Sequence, residues 1–201
     1  MCVFTTNFMN TIHFLDPRDA QTGYLSNFFR ASIRLDQMEW PTVEHYYQAQ
    51  KFIDGVFAER IRLATSPREA KTLGQTQDVP LRDDWPTHRM TSMLRALAAK
   101  FTQNDVLRTR LLATGDTTLA EASPTDVFWG VGADGKGENR LGYLLTTLRN
   151  DLRLFLAEEG AAMMSVDELA QKCFFSVSMK YPSWFLPGVA SFACDTTQKL
   201  Q

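Results

Sequence analysis

Cysteine is scarce and badly placed for chemistry. The chain of 201 residues holds three, Cys2, Cys173 and Cys194, with no C-x-x-C pair, and its three histidines, His13, His45 and His88, are scattered. An odd, widely spaced set of thiols excludes a disulfide framework and a zinc site of ordinary ligand spacing, and a reducing compartment is the simplest reading. Long hydrophobic runs are also missing. The opening MCVFTTNFMNTIHF has neither a basic stretch nor a continuous apolar one, so no secretory leader and no membrane contact is expected. Nor is positive charge in excess: 21 Lys and Arg stand against 23 Asp and Glu, a formal charge of −2, so no global field draws the chain to nucleic acid and any such contact must be local. Repeats and low-complexity runs are absent. A soluble cytoplasmic protein is expected, with the nucleus an open alternative; the oligomeric state is left open, a monomer included.

What is present is a core. A chain of this length that is 44% hydrophobic can bury one, and the body to residue 158 is of single-domain size. Residues 159–201 read as an extension with aromatic clusters at Cys173-Phe174-Phe175, Tyr181-Pro182-Ser183-Trp184-Phe185 and Phe192. It is too apolar to stay solvated, so it packs on the body, meets a partner or is dispensable. Short strands and turns are predicted over residues 11–39, at Ile12-His13-Phe14, Tyr24–Phe29 and Ser32–Leu35 before Asp36-Gln37. Apolar recurrence near 3.6 predicts helices over 42–53, 55–64, 67–73, 86–101, 104–113 and 139–158. Ser66-Pro67-x-Glu69 carries a cap, a proline at the first helical position and an early acid, a strong helix start.

The segment Trp40-Pro41-Thr42-Val43-Glu44-His45-Tyr46-Tyr47-Gln48-Ala49-Gln50-Lys51-Phe52 is the most informative. Glu44 and Lys51 are seven residues apart, nearly two turns, so on one helix they share a face with Tyr47 and Gln48 between them. Thr42 is a natural cap whatever Glu44 does. Solvated charges are the ordinary explanation of such a face, but they leave the tyrosines and glutamines unexplained, and the segment reads as a site. Lys100, at the end of a helix, reads as a favourable charge there. For His45 and His88 the sequence names no partner.

A second feature is Asp126-Val127-Phe128-Trp129-Gly130-Val131-Gly132-Ala133-Asp134-Gly135-Lys136-Gly137-Glu138-Asn139, with four glycines in the eight residues from 130 to 137. Such backbone bends and approaches ligands closely. With Phe128 and Trp129 to anchor it and Asn139 to cap the next helix, an ordered binding loop is favoured over a tether. It matches neither the Walker nor the dinucleotide spacing, so a phosphate or ribose role is a hypothesis only.

In this order these motifs resemble the NADAR, or YbiA-like, family: Tyr24-Leu25-Ser26-Asn27-Phe28, the 40–52 block, Ser66-Pro67, Leu81-Arg82-x-Asp84-Trp85, Lys100-Phe101, Leu111-Leu112-x-Thr114-Gly115, Asp126-x-Phe128-Trp129-Gly130 and Gly135-Lys136-Gly137-x-Asn139-x-Leu141-Gly142. The likeness covers roughly residues 12–155, and the extension finds no counterpart in it. It implies an α+β, mainly helical, YbiA-like single domain with short N-terminal strands. It also implies an N-glycosidase, without metal or bound redox cofactor, that cleaves ribosyl linkages to an exocyclic amine. Two substrate types follow: ADP-ribose on guanine in nucleic acid, which is favoured, and phosphoribosylamino-pyrimidine intermediates of riboflavin synthesis. A non-catalytic ADP-ribose-binding module is the alternative of a different class; such a module would tolerate loss of Glu44 or Lys51, and both are kept.

A glycosylamine can leave through a carboxylate-stabilised oxocarbenium ion or through ring opening and capture of the sugar by a lysine as a Schiff base. Glu44 as proton shuttle and Lys51 as nucleophile fit the second route, provided that burial among aromatics such as Phe52 and Trp129 keeps Lys51 partly neutral against the pull of Glu44. A charged Lys51 would instead hold phosphate, leaving Glu44 and Asp126 as working carboxylates. Asp126 is either a turn residue or a second carboxylate, and the resemblance favours the latter. Trp85 and Arg82 could stack on a base and grip a diphosphate, or fill a core edge and decorate the surface. Ser26, Asn27 and Phe28 at a strand end, Tyr47 and Gln48 on the helix, and Phe128, Trp129, Gly130, Lys136 and Asn139 in the loop complete the expected substrate contacts. Arg82, Arg89, Arg95, Lys136 and Arg140 could supply local positive charge.

Overall fold

The computed structural model describes residues 10–158, 165–181 and 184. Two short sheets, seven α-helices and one 3-10 turn are the regular elements of the described residues. Strand β1 (Thr11–Phe14) pairs in parallel with β4 (Thr118–Glu121), Thr11 opposite Thr118 and Phe14 opposite Glu121. Strands β2 (Ile33–Leu35) and β3 (Met38–Trp40) form a hairpin whose two-residue turn, Asp36-Gln37, has positive φ at both positions (52° and 63°), the geometry that matches strand twist.

The helices run α1 (Val43–Ala49), α2 (Gly55–Arg62), α3 (Pro67–Leu73), α4 (Trp85–Thr102), α5 (Asp105–Ala113), α6 (Arg140–Glu158) and α7 (Val166–Lys180). Their starts follow from side-chain chemistry. Thr42, Asp54 and Ser66 accept from first-turn N–H groups of α1, α2 and α3, and Ser165 and Glu168 form a reciprocal capping box on α7. Helix α4 is the central post. Met93, Leu94, Ala96, Leu97, Ala98, Ala99 and Phe101 are all buried, and α1, α5, α6 and α7 pack around it.

Helix α7 belongs to the extension that the sequence left unassigned. Leu169, Ala170, Cys173 and Val177 make one stripe that joins the common hydrophobic cluster between α4 and α6, and full burial of a Leu or Val side chain stabilises by about 1.5–3 kcal/mol. Pro182, Ser183, Phe185 and Phe192 of the extension's aromatic clusters, and Cys2 and Cys194, lie outside the described residues. Among those described, no helix is long and apolar enough to cross a membrane.

The structure changes two local expectations. Residues 24–29 are not a strand. Gly23–Leu25 form a 3-10 turn followed by further turns, and burial runs unbroken from Gly23 to Asn27, with Phe28 and Phe29 partly exposed; consecutive burial does not suit a half-buried strand, which sends alternate side chains to opposite faces. The first helix ends at Ala49 rather than near 53, so Lys51 sits just past its last turn. Strands β3 and β4 were not anticipated, being three and four residues long.

Gly142 lets α6 lie against β4, because a Cβ there would collide with the Leu119 carbonyl oxygen. Gly142→Ala should therefore lower unfolding free energy by about 1–3 kcal/mol, the usual penalty of overpacking. Gly55→Ala, where a Cβ meets nothing within 4 Å, should stay within about 0.5 kcal/mol of wild type. Urea denaturation of both variants checks the contrast.

Candidate active site

All seven residues of α1 are buried, including Glu44, His45 and Gln48. One side of the helix is anchored. His45 Nε2 lies 3.1 Å from the Ala64 carbonyl oxygen, which can only accept, so Nε2 carries the proton and Nδ1 accepts from the Thr42 hydroxyl at 2.7 Å. Burial lowers the His45 pKa and favours that neutral form. Tyr46 donates to Asp36 (3.1 Å) and accepts from Arg95 (2.7 Å). The other side opens on a cleft of about 190 Å³ walled by Asn27, Phe28, Glu44, Tyr47, Gln48, Lys51, Lys71, Gln75, Met93, Glu121, Asp126 and Trp129.

Burial controls the charges here. Gln48 donates from Nε2 to Glu44 Oε1 at 2.6 Å. Loss of hydration pushes the Glu44 pKa up, and nearby Asp126 adds to this, against the opposing pull of Gln48, Lys71 and Lys51. Lys51 donates from Nζ to the Gly74 carbonyl oxygen at 2.9 Å, with the rings of Tyr47 and Trp85 at 5.8 and 6.0 Å. Its pKa is lowered by burial first; Glu44 opposes and the Lys71 ammonium assists. The two residues that sequence reasoning set in conflict thus both lean toward their uncharged forms. Gln48 Oε1, Glu121 Oε2 and Asn27 Oδ1 are buried acceptors with no hydrogen-bond partner, and each belongs to a wall of the cleft. Such groups are costly to leave empty, and hydroxyl or amine donors of a ligand would satisfy them. Gly74 makes room for Gln48, since a Cβ would collide with its amide oxygen.

The opposite wall comes from the end of β4 and the glycine loop. Asn139, at φ 50°, accepts from Glu121 N and donates to Leu119 O, both at 2.9 Å. It therefore fastens β4 rather than capping α6 with its side chain. Val131 N donates to Glu121 O, and Asp126 Oδ1 accepts from Phe128 N (3.0 Å) and Trp129 N (2.7 Å). A Cβ on Gly130 would meet Glu121 O at 2.8 Å and Asp126 O at 2.9 Å, so glycine lets strand end and loop touch. The loop is ordered by its own backbone bonds, including Gly137 N to Val131 O and Arg140 N to Phe128 O. Trp129 Nε1 donates to the Tyr47 hydroxyl at 3.2 Å, tying the two walls together.

Of the residues singled out in the sequence, Glu44, Lys51, Asp126, Asn27, Phe28, Tyr47, Gln48 and Trp129 converge on the cleft. The others lie behind it or outside. Trp85 backs Tyr47 at 5.2 Å between centroids. Arg82 is held by Asp84 at 2.5 Å while its N–H meets Lys51 O. Phe128 lies against the guanidinium groups of Arg89 and Arg140, 3.7 and 4.1 Å from its centroid. Lys136 is exposed near Asp134, and Arg95 is engaged by Asp36 and Asp167. Ser26 contributes its carbonyl oxygen to Lys100. Two charged walls went unread. Lys71 carries no local signal. Glu121 carries a faint one, as the acid that ends the apolar pair Leu119-Ala120 just ahead of the Asp126 motif. Its pKa is pushed up to about 8 by burial, then by Asp126 and Glu44, with Lys71 opposing.

Lys100 is not a helix-end surface charge. It is fully buried, donates to Ser26 O at 2.8 Å and lies 5.5 and 5.4 Å from the ring centroids of Phe29 and Phe101. Burial brings its pKa down to about 7. It holds the turn that presents Asn27 and Phe28 to the cleft.

Comparison with known proteins bears on this arrangement. The family model described as NADAR domain matches residues 13–153. The N-glycosidase YbiA of Escherichia coli (strain K12) is 46% identical over 132 residues, 66% of this chain and 82% of that protein. A riboflavin biosynthesis protein of Vibrio vulnificus (strain YJ016) is 42% identical over 142 residues, 71% of this chain and 38% of that protein. The NMR structure of Escherichia coli YbiA superposes with a TM-score of 0.71 at 42% identity, covering 78% of this chain and 92% of that one. Thus the chain shares its fold with a solved relative over most of its described length.

The Lys100 site sets a pH test. Unfolded, the amine titrates near 10.4; folded, near 7. Between those values the unfolded chain binds the extra proton, so raising the pH favours the folded state. Relative to Lys100→Met, wild type should gain stability from about pH 7 toward 10, by at most about 1.4 kcal/mol per pH unit. Urea midpoints of the pair across that range check it.

Proposed function

The chain belongs to the NADAR family, and from that membership and the chemistry of the cleft we propose that it is an N-glycosidase cleaving the bond between a ribosyl anomeric carbon and an exocyclic amine. The name N-glycosidase borne by the Escherichia coli relative supports the reaction class. The observation that carries the reading is the buried Lys51, its pKa lowered by desolvation, beside Glu44, whose pKa is raised. Both shifts run in the direction that imine chemistry requires, toward a nucleophilic amine and an acid able to give a proton.

In this reading Glu44 gives a proton to the ring oxygen as the glycosylamine opens to an acyclic imine. Neutral Lys51 adds to C1, the exocyclic amine leaves with a proton, and the sugar remains as an imine on Nζ. Water adds to that imine, and its collapse returns the open sugar and the free Lys51 amine. The balance is one water consumed, one amine and one sugar released. Asp126, with one oxygen fixed by two backbone N–H groups, orients a ribose hydroxyl through the other. Lys71 supplies a cation in the wall, so phosphate need not draw on Lys51.

The enclosed volume, about 190 Å³, is below the roughly 300 Å³ at which drug-sized pockets begin. It suits one sugar, with base and phosphates at the mouth. Lys71 in the wall and Arg89 beyond it, against Phe128, are cations for more than one phosphate, which favours ADP-ribose attached to guanine in nucleic acid; Arg140 on the same ring is paired with Glu138. The name of the Vibrio relative supports a second substrate, a phosphoribosylamino-pyrimidine of riboflavin synthesis; on the present reading it turns over more slowly.

Incubation with guanosine-linked ADP-ribose and sodium cyanoborohydride, followed by peptide mass mapping, tests the route. An adduct is expected on Lys51, with adduct and turnover both lost in Lys51→Ala. Glu44→Gln should lower kcat by about 100-fold or more. Cleavage without an adduct would point to carboxylate-assisted hydrolysis, comparable turnover of the pyrimidine would remove the substrate preference, and binding without cleavage of either would leave a binding module.

A further inference from the structure

Glu121 is unused by the steps above, yet it is built into the cleft. It ends β4, where Asn139 Oδ1 accepts from its N–H at 2.9 Å and its carbonyl oxygen accepts from Val131 at 2.9 Å. Its backbone is thus fixed on both sides, and Gly130 packs flush against it. Its Oε2 is buried and has no hydrogen-bond partner. The contrast with Glu44 is chemical. Glu44 accepts the Gln48 amide at 2.6 Å, a bond that opposes, without outweighing, the effect of burial on its proton. No donor is given to Glu121 Oε2, so a proton is the natural occupant of that oxygen.

Resting on the N-glycosidase reading, we infer that Glu121 is the catalytic acid that protonates the departing exocyclic nitrogen, while Glu44 serves the ring oxygen and the water. The step balances simply. As the C1–N bond breaks, its electron pair goes to the amine nitrogen, which takes the Glu121 proton and leaves as a neutral amine; Glu121 becomes a carboxylate and is reprotonated from solvent in the next cycle. Division of labour between carboxyl groups in different environments is how one site runs acid and base chemistry at one pH. The groups facing Glu121 are Asp126 from the following loop, Glu44 from α1 and Lys71 from α3. The two acids favour retention of its proton and Lys71 opposes it, with burial the largest influence, so the acid form persists to about pH 8.

The test compares kcat and KM of full-length wild type, Glu121→Gln and Glu121→Asp between pH 6 and 10, on guanosine-linked ADP-ribose and on the phosphoribosylamino-pyrimidine. An acid must be protonated to act, so wild-type kcat should fall as the pH rises through about 8. Glu121→Gln should lower kcat by about 100-fold with little change in KM and should remove the fall near pH 8, leaving only the limb that Glu44, also an acid in this route, contributes at its own pH. Glu121→Asp should recover part of the rate together with the alkaline limb, which a purely structural role would not restore. Unchanged kcat in Glu121→Gln, or a reduced kcat with the wild-type alkaline limb intact, would overturn the assignment. Should Glu121→Gln fail to fold by its melting curve, Glu121→Asp decides alone: a shifted alkaline limb supports the role and an unmoved one overturns it. If wild type cleaves neither substrate, the N-glycosidase reading fails, an outcome separate from failure of this assignment.

Discussion

Desolvation of α1 is the constraint on which the rest of the structure depends. A seven-residue helix that buries a glutamate, a histidine, a glutamine and two tyrosines is unstable unless nearly every polar atom on it is answered. On the outer side the answers come from the protein: Thr42 and Ala64 for His45, Asp36 and Arg95 for Tyr46. On the cleft side they are incomplete, since Gln48 Oε1 is left without a partner. The same burial that makes those vacancies costly moves the Glu44 and Lys51 pKa values toward neutrality. Structure and reactivity therefore share one cause.

The second wall is assembled from far along the chain. Parallel pairing of β1 with β4 fixes the strand end that carries Glu121, Gly142 lets α6 approach that strand, and Asn139 bolts the two together. The glycine loop then returns Asp126 and Trp129 to the cleft, and the Trp129–Tyr47 bond closes the circuit with α1. The glycines serve packing here more than flexibility. A side chain at 74, 130 or 142 would displace Gln48, the Glu121–Asp126 junction or β4 respectively.

Signals local in the chain were legible in the sequence. Thr42 and Ser66 cap the helices they were expected to cap, five helices fall within two residues of their expected ends, and Glu44, Tyr47, Gln48 and Lys51 do share one wall. Features set by distant partners were not. Residues 24–29 carry strand-forming side chains, but contacts of Tyr24 with Phe101, Ser26 with Lys100 and Asn27 with Glu44 bury residues 24–27 consecutively, and turns replace the strand. Lys100 looks like any lysine at a helix end until Ser26, Phe29 and Phe101 close over it. Glu121 and Lys71 face the cleft only because β4 and α3 are brought to α1. The arginines show the limit most clearly: Arg89 and Arg140 gather on Phe128, Arg140 also paired with Glu138, whereas Arg82 and Arg95, equally basic in sequence, are drawn to acids away from that ring.

The central claim is that burial lowers the Lys51 pKa, the shift on which the proposed imine route depends, and direct titration of that amine tests it. In protein labelled with ¹³C and ¹⁵N lysine, with Lys51→Arg to assign the resonance, the account expects a midpoint clearly below the ordinary lysine value of about 10.4, as burial among Tyr47 and Trp85 requires. A midpoint at or above that value would mean that attraction to Glu44 outweighs desolvation, and the imine route would lose its physical basis.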